Sequence, residues 1–379
     1  MRRRISIGIA CLGGIAAIFT IGYWLISGNS IDQAKQSEIN TSSELDEPVI
    51  VQPNHDEDTP TCRIESSNHV EIFLYECGYE TGVPIIEKIK IVFPDDKEQV
   101  VDVEELQIPT FNLKMEANAD SVLIQNQLEH KYYYVTYDKG EKGVIDIPQD
   151  AINSCVSSNR KYIAYQAPGD VSRLTIRTIA DETEQTLHCA DSLGLKIGIN
   201  YGKLKWNTED TKIMFSGSIC YREGENAKNV YGWIDVNSDT ITYFEKENTD
   251  VEFWGNNLIV HSERMDYGVD SQGSVLFYDI QTGERKEYQP EEKNEDQFIY
   301  VVDGKSYATM WDKYDGEGVI FKYYMENKKI GTYRLTYEED RQPSIVSFYY
   351  SEKNNKMYAQ IYDFEQSKYK LMEIKKIDE

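Results

Sequence analysis

The chain has 379 residues, with 40 Lys and Arg against 65 Asp and Glu, a formal charge of −25, and 40% apolar residues that include 28 Tyr and 12 Phe. That apolar content excludes a wholly disordered chain, and acidity spread along the sequence without a basic patch excludes a phosphate backbone as partner, so no nucleic acid is expected. Tyr with Val and Ile favours strands over helices, and the acidic surface keeps an aromatic-rich protein soluble.

Met1–Arg4 is a cationic cap, and Ile5–Ile26 follows it with 22 residues and no charge. As a helix that stretch is about 33 Å long, enough to span a bilayer. Tyr23 and Trp24 end it with rings that favour the membrane interface, and Arg2, Arg3 and Arg4 orient the N-terminus to the cytoplasm with the remainder outside. The apolar core of a cleaved signal peptide is shorter, roughly 7–15 residues. A lipid-modified Cys11 is disfavoured by its closeness to the start and by Gly8 before it. The expectation is an uncleaved single-pass anchor in a bacterial-type cell membrane. Residues 27–60 are polar, acidic and poor in aromatics, which reads as a disordered tether. A coil of about 30 residues spans roughly 30 Å and lifts a domain clear of the headgroups. Val49–Pro53 is the exception there, a short apolar stretch able to add as an edge strand.

From Thr61 onward no amphipathic helix of three turns is visible. Runs such as Lys131–Asp138 and Ser274–Ile280 are aromatic and β-branched, and turn signals such as DKGEKG, DIQTGE and DVNSDT follow at hairpin spacing. Leu204–Phe244 is the best-formed unit, four short strands with three turns. Trp206–Phe215 aligns without gaps on Val156–Tyr165 and, with one extra residue, on Tyr350–Ala359; Trp254–Ser262 is a shortened version, and Ser67–Tyr75 is the weakest. The apolar residues after each turn, Ile72, Leu123, Ile163, Ile213, Ile259, Tyr307 and Tyr358, stand 51, 40, 50, 46, 48 and 51 residues apart. A period of that size with four strands per unit is the signature of an all-β propeller in residues 61–379, with seven four-stranded blades, or six if 61–105 is a cap.

WNTEDTKIMF and VSSNRKYIAY resemble the WSPDGKxIAF element of TolB-like propeller repeats, and YGWIDVNSDTITYF and VLFYDIQTGERKEY resemble the third and fourth strands of such a blade. The resemblance implies that the Trp packs between blades and that Asp-Gly makes the turn into the second strand. Here Thr211 or Lys161 stands for the Gly, and Thr208 or Ser158 for the Pro. On the same reading Trp254 shares the repeat position of Trp206 and is a packing residue, as is Trp233 within YGWID. The last candidate strand ends near Lys376, so an N-terminal strand has to complete the final blade, and Val49–Val51 is the candidate.

Catalytic signatures are missing. The five histidines show no HExxH or paired spacing, and GxSxG, GxGxxG and the phosphate-cradling loop are absent. The acidic turns at Asn294–Gln297, Asp266–Gly273 and Asp312–Gly318 do not match a calcium loop. Neither metal nor cofactor is expected. Six cysteines include no CxxC pair, which excludes a zinc ribbon. Cys62 and Cys77 flank one hairpin and either bridge or remain small buried thiols, the second being preferred. Ser218, in FSGSICY, falls within a strand. Binding is expected from loop aromatics and insertions: Trp311 and Tyr314 beside the DGEG turn, and Tyr221, Arg222 and Glu223 in the insertion Cys220–Asn229. These features suggest a tethered propeller that binds a protein or a cell-wall glycan. The alternative is a glycan lyase or hydrolase with its site at the central channel.

Overall fold

The computed structural model describes residues 60–377 apart from 67, 78–83, 111–112, 127–128, 168–172, 189–198, 220–227, 246–248, 263–273, 289–297, 311–316, 327, 338–343 and 364–367. The expected anchor, tether and Val49–Val51 strand all lie outside the described residues. Among the described residues no helix is long and apolar enough to cross a membrane. The only helical turn there is a 3₁₀ turn at Glu104–Leu106.

Short alternating runs separated by polar turns produce antiparallel meanders, each strand pairing with the next along the chain. The first sheet contains β1 (Cys62–Glu65), β2 (Glu71–Cys77), β3 (Ile85–Val92) and β4 (Glu98–Asp102), with the two-residue β5 (Ile108–Pro109) also on β3. The second holds β6 (Leu113–Ala117), β7 (Ser121–Asn126), β8 (Lys131–Thr136) and β9 (Lys142–Asp146). The third holds β10 (Asn153–Val156), β11 (Tyr162–Gln166), β12 (Leu174–Thr178) and β13 (Glu184–Leu187). Next come β14 (Ile199–Trp206), β15 (Lys212–Ile219), β16 (Lys228–Asp235) and β17 (Thr240–Glu245), then β18 (Thr249–Trp254), β19 (Asn257–Ser262), β20 (Val275–Asp279) and β21 (Arg285–Tyr288). The sixth meander, β22 (Phe298–Asp303), β23 (Ser306–Met310), β24 (Gly318–Met325) and β25 (Lys328–Thr336), shares an edge with a three-stranded one, β26 (Ser344–Ser351), β27 (Lys356–Asp363) and β28 (Lys368–Ile377). That shared edge is short: Thr332, Tyr333 and Arg334 of β25 pair with Ile377, Lys376 and Lys375 of β28.

A four-stranded sheet with two apolar faces must bury both, and here neighbouring sheets bury them against each other. Ile72, Ile89 and Ile91 of the first sheet share a core with Val122 and Ile124 of the second, whose other face shares one with Val156 and Ile163 of the third. The same pattern joins the third to the fourth through Trp206 and Phe215, the fourth to the fifth through Met214 and Leu258, the fifth to the sixth through Phe277 and Tyr307, and the sixth to the last through Phe321 and Phe348. The last sheet then returns to the first. Tyr349 packs on the first core, Gln360 Nε2 donates to Thr61 O at 3.2 Å, and Leu371 N donates to Pro60 O at 3.1 Å. The sheets therefore follow one another in a closed circuit, which is a β-propeller.

The closing junction holds a buried ion pair. Arg63 is buried, with 1% of its side chain exposed, and binds both Glu65 (2.9 Å) and Glu71. Glu71 also accepts from Ser351 Oγ at 2.7 Å, and the Arg63 guanidinium lies 5.7 Å from the Tyr358 ring centroid. Arg63 and both its carboxylates belong to the first sheet, and this always-charged cluster meets the last sheet through the Glu71–Ser351 bond and the Tyr358 ring.

Two thiols behave as small buried residues. Cys62 and Cys155 are free and buried. Cys62 lies opposite Leu74, and Cys77 is three residues further along β2, so the backbones stand about 10 Å apart, beyond the reach of a disulfide. Burial pushes the Cys62 thiol up to about 12, which removes the thiolate needed for reactivity.

Candidate functional site

In each sheet the hairpin between the first two strands carries a polar turn, and these turns are linked around one end of the circuit. Asn207 organises its turn by accepting through Oδ1 from Thr211 N (2.9 Å) and Lys212 N (2.7 Å); Ser157 Oγ accepts in the same way from Lys161 N and Tyr162 N. Each turn then reaches its neighbour. The Asp210 carboxylate accepts from Ser158 N (2.6 Å) and Asn159 N (2.9 Å), and Asn256 Oδ1 accepts from Thr208 N at 3.0 Å. Arg160 binds Asp120 at 2.8 Å, Asn68 donates to Ala119 O, and Lys305 meets Glu352 at 3.0 Å. Desolvation raises Asp210 above the ordinary carboxylate range despite these donors, and does the same to Asp303, which accepts from Lys305 N at 2.8 Å. Both are turn anchors, so their perturbation has a structural cause.

The turn geometry corrects one assignment. The left-handed residue that a glycine would fill is Asp210 (φ 54°) or Arg160 (φ 58°), one position before Thr211 and Lys161. Asp tolerates this region better than most residues, and its side chain is put to use on the adjacent turn.

Inside this ring of turns the first strands line a central cavity of about 950 Å³. Period-two alternation sends one set of side chains to the inter-sheet cores and the other to the cavity. On β14, Leu204 and Trp206 are buried in the core while Lys203 and Lys205 face the cavity; on β6, Lys114 and Glu116 face it. Their charges are interleaved. Lys205 lies 3.6 Å from Glu116, Lys203 Nζ is 2.7 Å from Asp250, and Glu252 on β18 is 3.2 Å from His261 Nε2. Lys114 has no hydrogen bond or ion pair to a described residue. Desolvation holds its ammonium below the usual lysine range, opposed by Glu116, with Lys205 and Lys203 adding repulsion. Among the described residues no cluster of His, Cys, Asp and Glu can hold a metal ion.

The two repeat tryptophans part company here. Trp206 lies opposite Ile213, is 3% exposed, donates its indole N–H to Cys155 O at 3.2 Å and stacks on Tyr162. It is the inter-sheet packing residue the sequence suggests, and so is Trp233, stacked on Tyr278 of the next sheet at 5.4 Å. Trp254 is not. Leu258, which fills the core role of Ile213, pairs with Phe253. Trp254 is thus one residue past the packing position, and a one-residue step in a strand reverses the face. A two-residue turn through Gly255 (φ 57°) follows at once. Trp254 is 38% exposed and lines the mouth of the cavity. Gly304 on the next sheet leaves room for it: a Cβ there would lie 3.0 Å from Trp254 Cδ1.

Trp311, Tyr314, Tyr221, Arg222 and Glu223 lie outside the described residues. In sequence they fall between β23 and β24 and between β15 and β16. The site residues missed from the sequence are Lys114, Glu116, Lys203, Lys205, Glu252 and Trp254. A signal for them existed, since charged residues recur two apart on the first strand of several units.

No protein-family model and no curated protein matches the chain. Solved structures do resemble it in shape. They include the β-propeller domain of the Trilobed protease from Pyrococcus furiosus, at 13% identity over 85% of this chain and 84% of that one with a TM-score of 0.41. Oligogalacturonate lyase from Vibrio parahaemolyticus matches at 11% identity over 84% and 97%, TM-score 0.47. Acylaminoacyl peptidase from Pyrococcus horikoshii matches at 12% identity over 85% of this chain and 46% of its own, TM-score 0.42, so the chain spans about half the length of that enzyme. The fold itself rests on the sheet order and the shared cores.

Proposed function

We propose that this chain is a seven-bladed, TolB-like propeller, held outside a bacterial-type membrane by Ile5–Ile26 and the 27–60 tether, that binds a protein or cell-wall partner at the mouth of its central cavity. The observation that carries this reading is Trp254. A large aromatic at the rim of a cavity of about 950 Å³, with charged groups below it, offers a stacking surface that the packing of the fold does not consume. A photo-crosslinking residue at position 254 of the full chain in membranes should give one dominant adduct, identifiable by mass spectrometry. The same residue at exposed Asn237, in the turn between β16 and β17, should not. Equal adducts at both positions, or none at 254, would overturn the reading. Protection of the C-terminal domain from external protease in intact cells would overturn its placement outside the membrane.

A glycan lyase or hydrolase acting at the same cavity is the second reading, favoured by the convergence of Glu116 and Glu252 with Lys203 and Lys205 from three different strands. Turnover of an acidic or neutral envelope glycan that is lost in Glu116→Gln and Glu252→Gln would select it over pure binding.

A further inference from the structure

A smaller cavity, of about 180 Å³, lies beside the central one where the second, third and fourth sheets meet. Lys114 and Lys203 line both spaces and stand at their junction. The small cavity has a chemistry of its own. In a chain of charge −25 its lining holds Lys114, Lys203 and His130 and no carboxylate. Lys203 is engaged by Asp250, but Lys114 is unpaired. Gln125 is 9% exposed, lines the same space, and its amide has no hydrogen-bond partner among the described residues. The amide opens onto this cavity, so a ligand held there can bond to it. The His130 ring is likewise without a described partner.

Backbone irregularity builds this space. β14 shifts register between Tyr201 and Lys203, so Gly202 and Lys203 both turn to the open side instead of alternating. Gly202 contributes no side chain to the cavity, although a Cβ there would meet only Ser216 O, at 3.5 Å, and the Gly217 backbone. The missing side chain therefore serves the cavity more than the strand.

We propose that this cavity binds a small carboxylate, with the Lys114 ammonium supplying the charge and the Gln125 amide and His130 ring supplying further donors. At about 180 Å³ the space lies below the range of roughly 300–1,000 Å³ usual for drug-sized ligands. It therefore admits a single small acid, or the acidic group at the end of a longer molecule. The site adjoins the central cavity through Lys114 and Lys203 but does not include Trp254.

Calorimetric titration of the full-length chain with D-glucuronate and with D-glucose tests the assignment, because the two differ by a carboxylate in place of a hydroxymethyl group. Glucuronate should bind saturably, and glucose at least tenfold more weakly. Lys114→Met should weaken glucuronate at least tenfold. Gly202→Leu, which fills the space without removing a charge, should do the same. Both variants should keep the wild-type circular dichroism spectrum, and Gly202→Leu, which lines only the small cavity, should also keep the crosslink at position 254. Unchanged affinity in either variant, equal affinity for glucose, or saturable binding of inorganic phosphate but not glucuronate would overturn the proposal. Loss of the position-254 adduct in the unmodified chain, with glucuronate binding intact, would instead sink the partner reading and leave this site standing.

Discussion

Trp206 and Trp254 begin hairpins that look like copies of one another, yet one ring is sealed between sheets and the other stands at the mouth of the cavity. Six residues separate the paired Trp206 and Ile213, whereas four separate Phe253 and Leu258. Once the core positions are matched, Phe253 occupies the place of Trp206, and Trp254 has crossed to the other face. Identical residues at matching places in a repeat thus carry different roles, decided by strand parity. The same comparison separates the parts of the molecule that maintain the circuit from those left over for recognition.

The first way to break this comparison is Trp206→Ala. It removes a buried indole and should cost about 3–5 kcal/mol in denaturant unfolding of the full chain. Arg63→Ala should have a similar cost, about 3–5 kcal/mol, because it leaves Glu71 buried without its cation at the closing junction. A cost under about 1 kcal/mol would show that the buried Arg63 cluster adds little to the closing junction.

Asp210 sharpens the contrast between linking turns and free ones. Asp210→Ala should destabilise by roughly 1–3 kcal/mol through the lost bonds to Ser158 N and Asn159 N. Asp210→Gly should cost about 1 kcal/mol less than Ala, because glycine accepts the left-handed backbone at no steric cost. Equal costs would mean that backbone strain plays no part in that turn.

Trp254→Ala should cost about 1–2 kcal/mol, less than Trp206→Ala because 38% of the residue is already exposed, and should abolish partner binding. A large loss of stability would place Trp254 with Trp206 after all. The smallest effect belongs to Lys114, whose folded-state pKa is held below its ordinary value. Between that folded value and about 10.4 the unfolded chain holds more protons, so stability contributed at this site rises with pH. Wild-type melting temperature should therefore climb relative to Lys114→Met on going from about pH 8 to pH 10; a falling difference would reverse the sign of the perturbation.

Much of the fold was legible. Aromatic and β-branched runs, turn clusters and a recurring spacing near 48 residues pointed to four-stranded units, and the meanders follow them, including the weakly marked first one. The packing roles of Trp206 and Trp233 were legible too, because each sits at a well-kept repeat position. The cavity was not. Lys114, Glu116, Lys203, Lys205 and Glu252 come from three strands of three separate units, and a linear pattern shows only that each strand alternates. The Gly202 bulge left no clear mark, because a glycine in a strand has several explanations.

The sequence by itself determined the local structure: where strands begin and end, which turns join them, and which alternate residues are apolar, since each of these depends on neighbours a few positions away. The tertiary structure decided which sheet each face meets, how Arg63, Glu71 and Ser351 join the two ends, and which charges share a cavity. Those outcomes depend on contacts between residues as far apart as 280 and 299 positions. In a strand a shift of one residue exchanges core for cavity, so a small change in turn length is enough to turn a packing tryptophan into one available for binding.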